Sequence, residues 1–254
     1  MQFCIFRLYA PLSSWGDIAV GMERRSYYQP SKSAVIGMVA AALGVKRYEE
    51  DKYKALFNSL GFGIKLLNPG EGVIDYHTTQ MPKKERDVVY RTRRDELYAN
   101  PEGINTIISR REYRCDSLSI IALWEIDNSK NNYSLKEVQT ALQYPTYHLY
   151  LGRKACPPAL PLEPQIKQAE TLRDALNTTE FGPIIMPFSN NEFDKKKADN
   201  IEKEIFYKNN PMYFWESCQN SGFLAWTKRT EKYDRPLNRD RWQFGLRYEY
   251  STFE

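Results

Sequence analysis

An α+β sandwich, built on one strand–helix–strand–strand–helix–strand unit, is the fold this sequence predicts, and three observations predict it. Residues 2–9 (QFCIFRLY), 61–67 and 117–126 (SLSIIALWEI) are apolar runs of strand length and strand composition. Two helix patterns with recognisable start signals, over 31–43 and 135–143, lie between and after those runs. After residue 152 the composition changes and prolines cluster, which sets a smaller C-terminal unit apart from the first.

The elements follow in order. Strand 2–9 breaks at Ala10-Pro11-Leu12-Ser13-Ser14-Trp15-Gly16, and residues 10–30 read as a loop carrying the basic, tyrosine-rich segment Glu23–Gln29. Pro30-Ser31-Lys32-Ser33 opens the helix, and Gly44 stops it. A polar helix over 49–59 precedes strand 61–67. The turn Asn68-Pro69-Gly70 then leads to strand 72–79, expected to pair back on 61–67. Residues 106–114 read as a further strand, Ser134 caps helix 135–143, and 147–151 is expected to be the last strand. This order is that of a ferredoxin-like or RNA-recognition-type fold. Residues 81–114 are too many for a hairpin turn, so they form either a projecting insert or a solvated loop. Pro157, Pro158, Pro161 and Pro164 make a stiff connector. Beyond it, 165–176 and 194–207 read as helical, with Lys195–Lys197 on a solvated face, and 212–216, 222–227 and 242–250 read as strands. The expected division is 1–151, with 81–114 as its insert, and 152–254.

At 254 residues, 42% hydrophobic and 27% charged, the chain has the composition of a globular protein. The four cysteines stand singly, which suggests neither a zinc site nor a disulfide framework, and an intracellular, cytoplasmic protein is expected. No run approaches a membrane span, no signal-peptide pattern is seen, and no membrane partner or cofactor is expected. Net charge is only +4, so the placement of charge matters more than its sum. Residues 228–247 hold Lys228, Arg229, Lys232, Arg235, Arg239, Arg241 and Arg247 against Glu231, Asp234 and Asp240, an excess equal to that of the whole chain. The insert adds Arg86, Arg91, Arg93, Arg94, Arg110 and Arg111, and arginine favours bidentate phosphate contact. Eighteen tyrosines suit surfaces that are half apolar and half hydrogen-bonding, as well as an aromatic-rich core.

No G-x-x-x-x-G-K-[ST] loop is present, which argues against nucleotide hydrolysis. Metal-independent RNA cleavage needs a base, an acid and a cation. His77 beside Tyr76, and His148 between Tyr147 and Tyr150, are the candidates for that chemistry. Backbone binding has more support. Ser31, Lys32 and Ser33 stand at a helix N-terminus, where free amides and the helix dipole attract an anion, although Ser31 also reads as a plain N-cap. Trp15 and Gly16 precede Arg24 and Arg25 in one loop; Trp15 fits either base stacking or the core. Gly152-Arg153-Lys154 fits RNA contact or a basic turn, and Arg239 and Arg241 fit phosphate contact or an interface ion pair.

The wording R-L-Y-A-P-L-S-S-W-G … P-S-K-S-A-V-I-G-M-V-A-A-A-L-G, with Y-H-L-Y-L-G-R-K-A-C-P-P-A-L-P-L, resembles the CasD-type subunits of type I-E CRISPR Cascade complexes. These belong to the RAMP superfamily of RNA-binding proteins. Asp75-Tyr76-His77-Thr78 and Arg239-Asp240-Arg241-Trp242-Gln243-Phe244-Gly245 agree, collinearly with the first two. The resemblance implies a ferredoxin-like RAMP domain whose insert 81–114 is a protruding β-hairpin, the thumb. It implies a non-catalytic subunit that binds the 5′ handle of the CRISPR RNA and caps the guide at one end. The thumb would pack on the first backbone subunit and help displace a nucleotide from guide–target pairing. The subunit would touch the large subunit and meet target DNA at most indirectly. His77 then reads as a packing or RNA-contacting residue, and Gly152 stands where RAMP proteins carry a glycine-rich loop, here with one glycine.

Overall fold

Alternate side chains of the first strand are buried in opposite directions, and this fixes the layering. Cys4, Phe6 and Leu8 enter one hydrophobic core, whereas Phe3 and Ile5 enter another. A strand buried on both faces needs cover on both, which is why its sequence is a continuous apolar run rather than an alternation. The computed structural model describes the chain apart from residues 17, 18, 20, 84–87, 99–102, 127–132, 217, 219, 225–227, 239, 240, 242 and 254.

The N-terminal part comprises β1 (Gln2–Ser13), β2 (Trp15–Gly16), β3 (Glu23–Arg24), β4 (Ser26–Tyr27), α1 (Lys32–Ala42), α2 (Glu50–Ser59) and β5 (Leu60–Asn68). The middle comprises β6 (Glu71–Pro82), α3 (Arg93–Tyr98), β7 (Ile104–Glu125), α4 (Leu135–Gln143) and β8 (Gln165–Gln168). The chain closes with α5 (Leu172–Thr178), α6 (Glu192–Phe206), β9 (Met212–Trp215), β10 (Lys228–Asn238) and β11 (Gln243–Phe253). The main sheet runs β10-β11-β9-β5-β7-β1-β8 with every neighbour antiparallel. Within it, β8-β1-β7-β5 are the fourth, first, third and second strands of a βαββαβ unit, the order of a ferredoxin-like sheet. Val35, Val39, Leu135 and Val138 of α1 and α4 cover one face, while Leu172, Ala175, Leu176 and Phe206 of α5 and α6 cover the other.

Four expectations are corrected. Residues 147–151 are not a strand, because their backbone serves other elements. Thr146 and Tyr147 amides donate to Ala42 and Ala41 at the end of α1, and the Leu151 carbonyl accepts from Ser14. The fourth strand is β8, inside the segment expected to be helical from 165. The connector reaches it by running beside β1, with Ala159 N–H donating to the Tyr9 carbonyl and Arg7 N–H to that of Leu162. Next, β6 does not fold back on β5. Both lie along the 22-residue β7, β5 against its second half and β6 against its first. The chain changes course between them at Gly70, whose φ is +71° and whose absent Cβ would stand 2.4 Å from the Cys115 carbonyl oxygen. Third, β10 forms where no strand was expected at 228–238, since its polar sequence is that of an edge strand. Last, the sheet is continuous across residue 151. β8 completes it at one edge and β9 extends it at the other, so the expected boundary between 1–151 and 152–254 is not a break in the sheet.

The insert is a two-stranded ribbon. Its arms are β6 and the first half of β7, nearly all of β6 is exposed, and the Lys83 amide donates to the Gly103 carbonyl across the tip. Twelve residues of strand carry the tip on the order of 40 Å from the sheet. The expected span 81–114 therefore omitted the outgoing arm.

Candidate nucleic-acid interface

Three segments far apart in sequence meet at the base of the ribbon. β2 pairs with β4, and the Trp15 amide donates to Ser26 Oγ at 2.9 Å. The Glu112 carboxylate on β7 accepts from the Ser26 amide, which locks this small ribbon to the large one. β3 lies parallel to β7, with Glu23 beside Arg110 and Arg24 beside Arg111. The Gly152 turn packs on Ser14 so closely that a Cβ at 152 would fall 1.8 Å from the Ser14 carbonyl oxygen. Its φ of +87° independently requires glycine. Arg153 then reaches across, donating from Nη2 to the Arg24 carbonyl at 3.3 Å and lying 4.6 Å over the Tyr113 ring.

Register decides which of the arginines share a face. Residues directly opposite in an antiparallel ladder project to the same side. Asp75 is opposite Arg111, His77 opposite Ser109 and Val73 opposite Tyr113, so Arg24, Arg111, His77 and the Arg153–Tyr113 stack form one side. Arg25 and Arg110 belong to the other side, where both approach Glu23, at 3.1 and 3.9 Å. His77 Nδ1 lies 3.8 Å from Asp75, and both side chains are about half exposed.

A furrow runs from this strip toward the C-terminal strands. A cavity of about 1010 Å³ is lined by residues that include Gly16, Arg24, Ser31, Ser33, Lys232, Tyr233 and Phe244. A second, of about 370 Å³, shares Gly16, Ser31, Ser33 and Phe244 and adds Gly152 and Arg153. The loop after the first strand and the 152–154 turn thus border one continuous depression. Exposed Lys154 stands beside it in sequence.

Two expected contacts are corrected. Trp15 is only 3% exposed and belongs to the core, so it presents no face for a base to stack on. Lys32 is buried, and its ammonium donates to Glu216 at 2.7 Å, an internal partner in the place a phosphate would take. Burial lowers the Lys32 pKa, and Glu216 opposes that shift. Close by, Asp234 Oδ2 lies 3.4 Å from the Ser33 amide and accepts from Arg247, which also donates to Glu249. Burial works against the Arg247 charge, but these carboxylates hold it protonated. The start of α1 is therefore already neutralised by carboxylates from the C-terminal strands. Ser31 is a true N-cap, accepting from the Ala34 amide, and Ser31 and Ser33 face the furrow only as hydroxyl-bearing lining.

The remaining candidates are dispersed. Arg91, Arg93 and Arg94 are exposed at the ribbon tip, where Arg93 is engaged by Glu96 and the Gln80 carbonyl. Arg241 is exposed in the β10–β11 turn, its amide donating to Asn238 Oδ1. Arg86 and Arg239 lie outside the described residues. Sequence reasoning missed Glu231, Lys232, Tyr233 and Phe244 as furrow residues. The signal was present, since they sit within the basic tail 228–247, but the sequence reading takes Glu231 and Lys232 only as charges in the sum over that tail. Among the described residues no group of three or more potential ligands (His, Cys, Asp, Glu) could hold a metal, and no helix is long and apolar enough to cross a membrane.

A hairpin projecting from a ferredoxin-like sheet is the arrangement the sequence resemblance implies. The family model described as CRISPR-associated protein (Cas_Cas5) matches residues 3–248, and the chain belongs to that family. The chain is 30% identical over 169 residues to the CRISPR system Cascade subunit CasD of Escherichia coli (strain K12), which covers 63% of this chain and 69% of that protein. A solved structure described as a CRISPR RNA-guided surveillance complex shares the fold, with TM-score 0.59 and 20% identity over 99% of this chain and 89% of that one. Another, described as a Cas protein, gives TM-score 0.53 and 20% identity over 99% and 94%.

Proposed function

We propose that this chain is a non-catalytic subunit of a CRISPR RNA-guided surveillance complex and that its furrow holds the 5′ handle of the CRISPR RNA. The observation that carries the reading is the meeting of Arg24 and Arg153 on a furrow edged by Gly16 and Gly152, with Arg111 paired beside Arg24. Cations on one side of a groove track a phosphodiester backbone, and glycines let that backbone approach the main chain. The ribbon, exposed on both sides, is the element that reaches the neighbouring backbone subunit, while the guide pairs with target DNA elsewhere. On this reading the alternatives, a handle-processing ribonuclease and an adaptor without RNA contact, each make an opposite prediction.

Fluorescence anisotropy of labelled handle RNA, titrated with the full chain, tests the reading. Affinity should fall as salt rises, by about 0.7 log unit per log unit of salt for each phosphate neutralised. Salt-independent affinity would favour the adaptor. Repeat RNA incubated with the chain in EDTA should stay intact; discrete cleavage lost on His77→Ala would make the ribonuclease the better account.

A further inference from the structure

Where the furrow passes the start of α1 it offers hydroxyls instead of cations, and from this we infer that Ser33 reads a ribose 2′-hydroxyl and so selects RNA over DNA. This rests on the RNA-binding reading and deepens it. Ser31 and Ser33 share one cavity with Arg24 and a second with Arg153, so a single depression joins the hydroxyls to both arginines. Ser33 also lines a third cavity, of about 240 Å³, with Gly37, Ala41 and His148. Ser33, Gly37 and Ala41 follow one another at four-residue spacing, which places them on one side of the helix. All three are half-buried, whereas Lys32, Val35, Ile36 and Val39 are buried. Ser33 therefore stands on the open face of α1, and that face borders the furrow.

The group that meets Ser33 is not a phosphate. Asp234 Oδ2 lies 3.4 Å from the Ser33 amide, and the Lys32 ammonium is taken by Glu216. A carboxylate in that place repels a second anion. In a strand whose phosphates follow Arg24 and Arg153, the sugar is bonded directly to each phosphate and lies nearer the track than the base does. Its 2′-hydroxyl is uncharged, both donates and accepts, and is the group that separates RNA from DNA. A serine hydroxyl has the same double capacity. Ser31 Oγ is committed to the helix cap, accepting from the Ala34 amide, and lies 3.0 Å from Ser33 Oγ. Among the described residues Ser33 Oγ has no partner but Ser31, so it keeps a hydrogen bond for a ligand. A deoxyribose leaves that bond unmade.

The experiment compares the labelled handle RNA with versions carrying a single 2′-deoxyribose at each position in turn. The full chain is measured beside Ser33→Ala, the hydroxyl-keeping Ser33→Thr and, as the backbone control, Arg153→Ala. In the unmodified chain one position should lose about three- to tenfold in affinity with its 2′-hydroxyl, the range of one hydrogen bond. Ser33→Ala should erase that loss and leave the salt slope unchanged, while Ser33→Thr should retain the loss. Arg153→Ala should weaken all the RNAs alike and reduce the slope. Equal affinity of the unmodified chain for every deoxy-substituted handle, with Arg153→Ala still effective, overturns the sugar contact and leaves backbone binding standing. A deoxyribose loss that persists in Ser33→Ala, or a lower salt slope in that variant, also overturns the assignment to Ser33. Insensitivity to Arg153→Ala and to salt overturns both readings.

Discussion

Ser31-Lys32-Ser33 and Gly152-Arg153-Lys154 look alike in sequence, each a small residue followed directly by a cation at a loop edge, yet the fold uses them oppositely. The first is sealed. Glu216 takes the Lys32 ammonium, and Asp234 reaches the Ser33 amide. The second is open, with Arg153 held over Tyr113 at the rim of the furrow. A basic motif marks a nucleic-acid contact only where no carboxylate from elsewhere in the chain reaches it first. Here the carboxylates arrive from about 180 to 200 residues away, beyond the reach of local sequence reasoning.

That contrast can be broken from either side. The largest effect is expected on stability. Glu216→Ala leaves the buried Lys32 charge unpaired and should cost about 3–5 kcal/mol in chemical denaturation. Because burial lowers the Lys32 pKa below 10.5, the unfolded chain binds more protons between the two values. This group's contribution therefore rises with pH through that window, more so in the variant than in the parent. Next, Gly152→Ala forces a left-handed φ on a side chain that must also displace Ser14. It should cost about 1–3 kcal/mol and disturb RNA binding together with stability. Arg153→Ala should instead spare the melting transition and lower handle affinity several-fold. The smallest effect is the control away from both regions. Ser134→Ala removes the capping box of α4 and should cost about 1 kcal/mol with RNA affinity unchanged. The same cap holds the Glu137 pKa below its ordinary 4.5, so its contribution is present above that value and fades as pH falls through the lowered one.

How much was legible follows the same division between local and distant causes. α1 and α4 carry their own caps and the central strands their own apolar runs, and the family resemblance rests in part on residues within β1 and α1. The 147–151 segment misled because Y-H-L-Y-L has the alternation of a strand, while the bonds that decide its state come from α1 and Ser14. β8 was hidden by its length, four residues without an apolar run, and by the helix that follows it closely. Trp15 was open between two uses, and the β2–β4 pairing that draws it into the core cannot be read from either segment alone. At the candidate site the arginines were all visible in the sequence. Which of them share a side was not, because that depends on the pairing of β3 and β6 with β7.

The central claim is that Arg24, Arg111 and Arg153 act together on one backbone track. The direct measurement is the log–log salt slope of handle-RNA affinity for the full chain and for the variant carrying Arg24→Ala, Arg111→Ala and Arg153→Ala. With each arginine neutralising one phosphate, the slope should fall in magnitude by about 2. A variant that binds with the parent's slope and affinity would contradict the account.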